Sequence, residues 1–298
     1  MPILRTPDER FENLPDFDFA PRYVQIGDTR LHYLDEGAGA ETVLCLHGEP
    51  TWCYLYRHMI PPLAQRYRVI APDMVGFGRS DKYSELEDYS FHMHYDKLLA
   101  LIEALNLGNL TLVCQDWGGL LGLTIAADHS DRFARLVVLN TFLPTGEDKI
   151  SDAFLQWRAF SQKVGTRMQV GRLIAQTITH YELPEDVIAA YDAPYPDDSY
   201  KAGAATFPSL VPITPDMPGA AEMKAARRKL SQWSKPAQVM FSDGDPILGG
   251  AAKFFRRLFP TTADQPEITI RGAGHFLQEE KGAEIAAEVI AFIERTPR

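Results

Sequence analysis

Six short apolar runs, each ending abruptly in turn-forming residues, set the tightest limit on what this chain can fold into. They are TVLCLHGEP (42 to 50), YRVIAPDMVGFG (67 to 78), LTLVCQDWGG (110 to 119), ARLVVLNTF (134 to 142), AQVMFSDGDP (237 to 246) and EITIRGAGH (267 to 275). Runs of this kind match strands buried on both faces. Helical patterns such as SFHMHYDKLLALIEALNL, and the stretch from Gly119 through Asp128, lie between most of them. Strand and helix in alternation predict an α/β fold with a mostly parallel central sheet flanked by helices. Ahead of the runs, YVQIGDTRLHYLDEG alternates about a Gly-Asp turn and predicts a hairpin that opens an antiparallel edge.

The region from about Pro144 to Val211 is different. It carries helical patterns, prolines and aromatics but no clear buried strand, and it falls between two of the predicted strands. The expected division is a core domain of residues 1–143 and 212–298 and an inserted helical cap of residues 144–211. Such an insertion belongs over the carboxyl ends of the strands, where α/β sheets bind ligands.

The 298 residues, 45% hydrophobic, suffice for one large core of this type. A net charge of −10 and the lack of a Lys/Arg cluster argue against nucleic acid as a partner. MPILRTPDERFENLPDFDF lacks the apolar core of a signal peptide, and no later stretch is long and apolar enough to span a bilayer. A cytoplasmic monomer with no membrane partner is expected. The three cysteines, Cys45, Cys53 and Cys114, leave at least one unpaired and have no metal-ligand spacing, so buried free thiols are expected and no metal site.

Chemistry concentrates at VCQDWGGL (113 to 120). A small-residue turn between a buried strand and a helix is the setting of the nucleophile elbow, whose general pattern is G-x-S-x-G. Asp116 stands where serine is usual, and Gln115 and Cys114 also depart from the small residue expected before it. A serine attacking saturated carbon would form an ether that no neighbouring histidine could hydrolyse. A carboxylate attacking the same carbon forms an ester, which a base-activated water can cleave. Aspartate here therefore points to displacement at sp³ carbon. The competing reading is that Asp116 merely caps the helix that follows.

Partners follow in the hydrolase chain order of nucleophile, acid and histidine. His275 sits in GAGHFLQEE just past the last apolar run, and Asp245 in SDGDPILGG follows the preceding one. Asp243 rivals Asp245. The D-P-x-x-G pattern places Asp245 at the loop bend, whereas Asp243 could simply open the turn. The oxyanion of a tetrahedral intermediate needs amide donors, expected from the backbone N–H groups of Trp117 and Glu49, since Pro50 has none. His47 reads as a loop-packing residue, because His275 already fills the place of the base.

HGEPTW (47 to 52), GFGRSD (76 to 81), QDWGG (115 to 119), DPILG (245 to 249) and GHFLQE (274 to 279) together resemble the haloalkane dehalogenases of the α/β-hydrolase superfamily. The likeness runs over nearly the whole chain, cap included. QDWGG joined to HGEPTW is its most specific part, while HGxP and GFGRSD are widespread in the superfamily. The resemblance implies an α/β-hydrolase fold with Asp116 as the alkylated nucleophile, His275 as base and Asp245 as triad acid. It also implies a halide cradle of indole donors, to which Trp117 contributes one. Many relatives supply the second donor from an Asn in the first loop. This chain has Glu49 there, an acceptor once ionised, and the branch with Glu uses a cap tryptophan, which Trp157 matches. A core aromatic is the plainer reading of Trp157, and Trp52 and Trp233 read as packing residues. Phe154, Phe207, Pro208, Val211, Ile247 and Leu248 match positions lining the family's apolar cavity, although core packing would explain each of them.

The implied reaction is hydrolysis of a small apolar haloalkane to a primary alcohol, a halide ion and a proton, without metal or organic cofactor. Its nearest rival is an epoxide hydrolase, which uses a similar triad together with acids on the cap, commonly two tyrosines. Tyr181, Tyr191, Tyr195 and Tyr200 keep that rival open. A noncatalytic ligand-binding relative is the reading from another class, and the full set of Asp116, Asp245 and His275 weighs against it.

Overall fold

A computed structural model describes residues 3–297. Eight strands form the central sheet: β1 (Arg22–Ile26), β2 (Thr29–Glu36), β3 (Thr42–Leu46), β4 (Arg68–Pro72), β5 (Leu110–Cys114), β6 (Phe133–Val138), β7 (Ala237–Ser242) and β8 (Ile268–Ile270). Their order across the sheet is β8-β7-β6-β5-β3-β4-β2-β1. All neighbours from β8 to β4 run parallel, while the β1–β2 hairpin joins β4 antiparallel, as its alternation predicts. This is the α/β-hydrolase fold.

Strands β3 and β5 are buried at every position because the sheet is covered on both faces. The runs at 42–50 and 110–119 therefore read correctly, although each strand stops at its fifth residue and the rest forms the loop beyond. The last run departs from expectation. β8 spans three residues, with Thr269 exposed and Ile268 half-buried, because an edge strand has a sheet neighbour on one side only.

Ten α-helices are described: α1 (Ile60–Ala64), α2 (Phe91–Ala104), α3 (Trp117–Asp128), α4 (Asp152–Val164), α5 (Val170–Thr177), α6 (Glu185–Asp192), α7 (Ala202–Leu210), α8 (Ala220–Leu230), α9 (Ala252–Leu258) and α10 (Leu277–Arg295). None is long and apolar enough to cross a membrane. α2 begins where Ser90 accepts a hydrogen bond from the Met93 amide as the N-cap. α3 starts at Trp117, two residues before the pattern suggests, and is buried from Trp117 through Ala127. A helix apolar on all sides belongs in the middle of a layer, and α3 lies between β5 and α8.

Helices α4 to α7 leave the sheet after β6, and α8 returns to pack on α3. A buried ion pair ties these helices to the sheet. Arg57 donates to both carboxylate oxygens of Glu279 on α10, at 2.6 and 2.5 Å, and Tyr191 on α6 donates to the same carboxylate. Glu280 accepts from the Thr179 amide at 2.9 Å and from the Gly274 amide at 2.5 Å, joining the segment after α5 to the loop that carries His275.

The chain crosses to opposite sides of β3 on its way to β4 and to β5, and that switch point opens a crevice at the carboxyl ends of the strands. In-register pairing of Leu46 with Cys114 makes β3 and β5 end together. The loops at His47–Pro50 and Gln115–Trp117 are thereby set side by side.

Candidate active site

Asp116 stands between β5 and α3 with φ 48° and ψ −126°, a conformation strained for any residue with a Cβ. Its backbone is clamped on both sides. Its amide donates to Asn140 O at 2.7 Å, and its carbonyl accepts from Thr141 Oγ1 at 2.7 Å and from the Gly119 amide at 2.8 Å. So sharp a turn leaves no room beyond it: a Cβ on Gly118 would lie 2.2 Å from Leu46 O, and one on Gly119 would lie 2.1 Å from Thr141 Oγ1. The glycines after Asp116 permit this approach of α3 to the sheet.

The Asp116 side chain makes no capping bond to α3. Oδ1 accepts instead from the Glu49 amide at 2.8 Å, and Oδ2 lies 3.6 Å from His275 Nε2. The helix-cap reading of Asp116 thus has no support in the geometry.

His275 Nδ1 is 2.8 Å from Asp245 Oδ2. The other oxygen of Asp245 accepts from the Ile247 and Leu248 amides at 2.8 and 3.0 Å, so the turn at D-P-x-x-G aims the carboxylate. Asp243 is exposed and accepts from the Gly272 amide, in keeping with a turn-forming role. Asn140 is fully buried, and its amide bridges Ser242 and Gly274, two residues at the bases of the acid and histidine loops.

Electrostatics separate the ionisable groups. Burial acts to lower the His275 pKa, but Asp245 and Asp116 outweigh it and raise the value to about 10. Burial acts to raise Asp245, yet His275 and the two turn amides bring it below the ordinary carboxylate value. Burial pushes Glu49 well above the ordinary range, with Asp116 adding to the shift and His275 opposing it. The shift favours the neutral form of Glu49 over the anion its residue type suggests. Its Oε1 is buried with no hydrogen-bond partner. His47 is buried, and its Nε2 accepts from the Met74 amide at 3.0 Å, which matches the packing role expected of it.

Asp116, Trp117, Asp245, His275 and Glu49 all border one cavity of about 620 Å³. Trp157 reaches it from α4. Trp117 and Trp157 thus both border the cavity. Phe154, Pro208, Val211, Ile247 and Leu248 line the walls. Phe207 does not, and this corrects the sequence reading. It is fully buried behind Trp117, its ring stacked on the indole at 4.5 Å and on Phe77 at 4.8 Å. Further walls come from Leu120, Phe142, Leu173 and Phe254, which the sequence hides among ordinary helix and loop apolar residues. Phe276 also lines it, and its place beside His275 was the one available signal. Trp52 and Trp233 are buried away from the cavity and pack as expected.

None of Tyr181, Tyr191, Tyr195 and Tyr200 lines the cavity. Tyr191 and Tyr181 face Glu279 instead. The cap acids that ring opening of an epoxide requires are therefore not presented by these four residues.

The three cysteines are free and buried. His32, Cys53 and Asp73 bring ligand-type atoms within 4.8 Å of one another, a cluster the sequence spacing does not reveal. His32 Nδ1 and Asp73 Oδ2 are 2.7 Å apart, a hydrogen-bond distance. Two ligands on one tetrahedral zinc ion stand about 3.3 Å apart. Asp73 also accepts from the Cys53 and Arg79 amides, so its carboxylate is already satisfied as a loop anchor.

Comparison with known proteins agrees with this fold. The family described as the alpha/beta hydrolase fold matches residues 41–282. A haloalkane dehalogenase of Psychrobacter cryohalolentis is 48% identical, the match covering all of both chains. One of Mycobacterium marinum is 47% identical over 98% of this chain and all of its own. The structure of a tetrameric haloalkane dehalogenase from Paraglaciecola agarilytica superposes with a TM-score of 0.92 at 41% identity, covering 98% of each chain. The tetramer of that relative does not fit the monomer expected from sequence. Similarity of this extent, along the full length of the chain, places the protein in the haloalkane dehalogenase family, on the α/β-hydrolase fold.

Proposed function

We propose that this protein hydrolyses the carbon–halogen bond of small primary haloalkanes through an ester on Asp116. The observation that carries the reading is the setting of the Asp116 carboxylate. One oxygen is held by the Glu49 amide and the other is turned toward His275, in an apolar cavity that Trp117 and Trp157 also border.

Asp116 Oδ2 attacks the carbon, and the halide leaves with the bonding pair into the N–H groups of Trp117 and Trp157. Oδ1 becomes the carbonyl oxygen of the ester. His275 then takes a proton from water, whose oxygen bonds to the carboxyl carbon of Asp116. Negative charge collects on Oδ1, where the Glu49 amide already sits at 2.8 Å and the Trp117 amide is the second donor assigned to the oxyanion. Collapse breaks the bond between that carbon and the alkyl oxygen. The alcohol leaves with the proton from His275, and Asp116, now carrying one oxygen from water, returns to the carboxylate by releasing the second proton of that water to solvent. An apolar cavity suits an uncharged substrate and strengthens the hydrogen bonds to the departing anion. The contact of Asp116 with His275, and of His275 with Asp245, favours this chemistry over a role in ligand binding alone.

The test is release of bromide and alcohol from 1-bromobutane and 1,2-dibromoethane by wild type and by Asp116→Asn. Both products are expected from wild type only. His275→Phe is expected to accumulate an alkylated chain detectable by intact mass. No bromide from folded wild type would overturn the reading, and hydrolysis of styrene oxide would then be measured.

A further inference from the structure

Two side-chain atoms approach His275 Nε2, the nitrogen assigned to water activation. Asp116 Oδ2 lies 3.6 Å away, and the Gln115 amide nitrogen is closer, at 3.0 Å. Gln115 is fully buried at the end of β5, directly before Asp116, and does not line the cavity.

The same amide nitrogen is 3.3 Å from the His275 carbonyl oxygen. A carbonyl can only accept, so this end of the amide is the NH2 group. His275 Nε2 must then be the acceptor of the other contact. Nδ1 faces the Asp245 carboxylate and must be the donor there. With Asp245 accepting at Nδ1, the Gln115 contact is met by the neutral imidazole with its proton on Nδ1, the form in which a histidine acts as a base through Nε2, and it competes with the carboxylates of Asp116 and Asp245, which favour imidazolium.

Gln115 is poorly satisfied for a side chain that merely packs. Its Oε1 is buried without a hydrogen-bond partner, while β5 before it is LTLVC. A buried polar atom left unpaired beside a reacting group calls for a reason beyond packing.

We propose that Gln115 is a positioning residue for the hydrolytic step: its amide holds His275 in the neutral form once Asp116 is esterified, and yields Nε2 to the attacking water. The assignment rests on the dehalogenase reading and adds to it a residue outside the triad and the halide donors.

The charged groups around the ring make such a device useful. Asp245 faces it from the loop after β7, Asp116 from the elbow after β5, and Glu49 from the loop after β3. Glu280 on α10 bonds to the Gly274 and Thr179 amides rather than to the ring. In the resting protein the carboxylates of Asp116 and Asp245 favour imidazolium. Esterification removes the charge of Asp116, and burial disfavours a charge on Glu49. Asp245 alone then favours the charged ring, against burial and the hydrogen bond donated by Gln115.

Gln115→Met keeps the length and removes the donor, and Gln115→Glu keeps the shape and adds a carboxylate. Bromide burst, ester accumulation by intact mass and the pH dependence of single-turnover hydrolysis are measured for both. We expect a bromide burst near one equivalent, hydrolysis slowed about tenfold or more for loss of one hydrogen bond, and accumulated ester. The apparent pKa of hydrolysis should rise in both variants, and further in Gln115→Glu. An unchanged partition between ester formation and hydrolysis would overturn the proposal. So would loss of the burst together with hydrolysis, or slower hydrolysis with an unmoved pH profile, since packing alone would produce these. Absence of bromide release from wild type would count against the dehalogenase reading instead, and is seen without any variant.

Discussion

Asp245 meets His275 with one carboxylate oxygen while the other is bound by the turn on which it stands. Oδ2 lies 2.8 Å from His275 Nδ1, and Oδ1 accepts the Ile247 and Leu248 amides. The acid therefore arrives already oriented, and the histidine tautomer follows from it. Asp245→Asn should keep the turn, because an amide oxygen can replace Oδ1. Its NH2 would face Nδ1 and force the proton onto Nε2, the wrong tautomer for a base. We expect ester hydrolysis to fall by about 10⁴-fold with the melting temperature little changed. Rapid-quench bromide release and intact mass would check this, and turnover at the wild-type rate would remove Asp245 from the mechanism.

Trp157 borders the cavity, and its indole N–H is the second halide donor proposed here. Trp157→Phe retains the ring and deletes the donor. Hydrogen bonds to a charged partner contribute about 1.5–3 kcal/mol, so bromide affinity should weaken roughly tenfold to a hundredfold. Bromide titration followed by tryptophan fluorescence or by product inhibition reads this directly. Equal affinity in both proteins would assign Trp157 to packing.

Burial favours the protonated form of Glu49, which gives stability a slope with pH. The fold raises its pKa above the ordinary 4.5, so the folded protein keeps a proton that the unfolded chain has lost. The contribution is full below 4.5 and declines as pH rises above that value. Glu49→Gln mimics the neutral acid and lacks the titration. The variant should melt above wild type at about pH 8.5, with the difference shrinking toward about pH 5. Parallel melting curves across that range would show that Glu49 is ionised in the fold.

Phe207 supports the Trp117 indole from behind, with ring planes 15° apart. Phe207→Ala should destabilise the protein by about 3–5 kcal/mol, as expected for emptying a buried aromatic site. It should also weaken halide binding, because the indole loses the surface that fixes its angle. Denaturant titration and bromide titration on the same preparation would separate the two effects. A Phe207→Leu variant with intact halide affinity would show that bulk alone is enough.

The sequence by itself determined the layer architecture and the elbow that presents Asp116. Both are written in contiguous residues: a strand buried on two faces is a local apolar run, and the elbow is a strand, a turn and a helix start within VCQDWGGL. The acid and the base were legible because each follows directly on such a strand and carries its own turn pattern.

What depends on distant contacts was decided only in three dimensions. Phe207 matched a cavity wall by position, yet its neighbour Trp117 comes from another part of the chain, and packing placed it behind the indole. Glu49 reads as an anion by residue type, and only desolvation by the surrounding fold shifts it toward the neutral acid. Gln115 and His275 are separated by 160 positions, so nothing near either residue announces their contact. Burial and through-space electrostatics arise from the assembled core, and a linear pattern does not encode them locally.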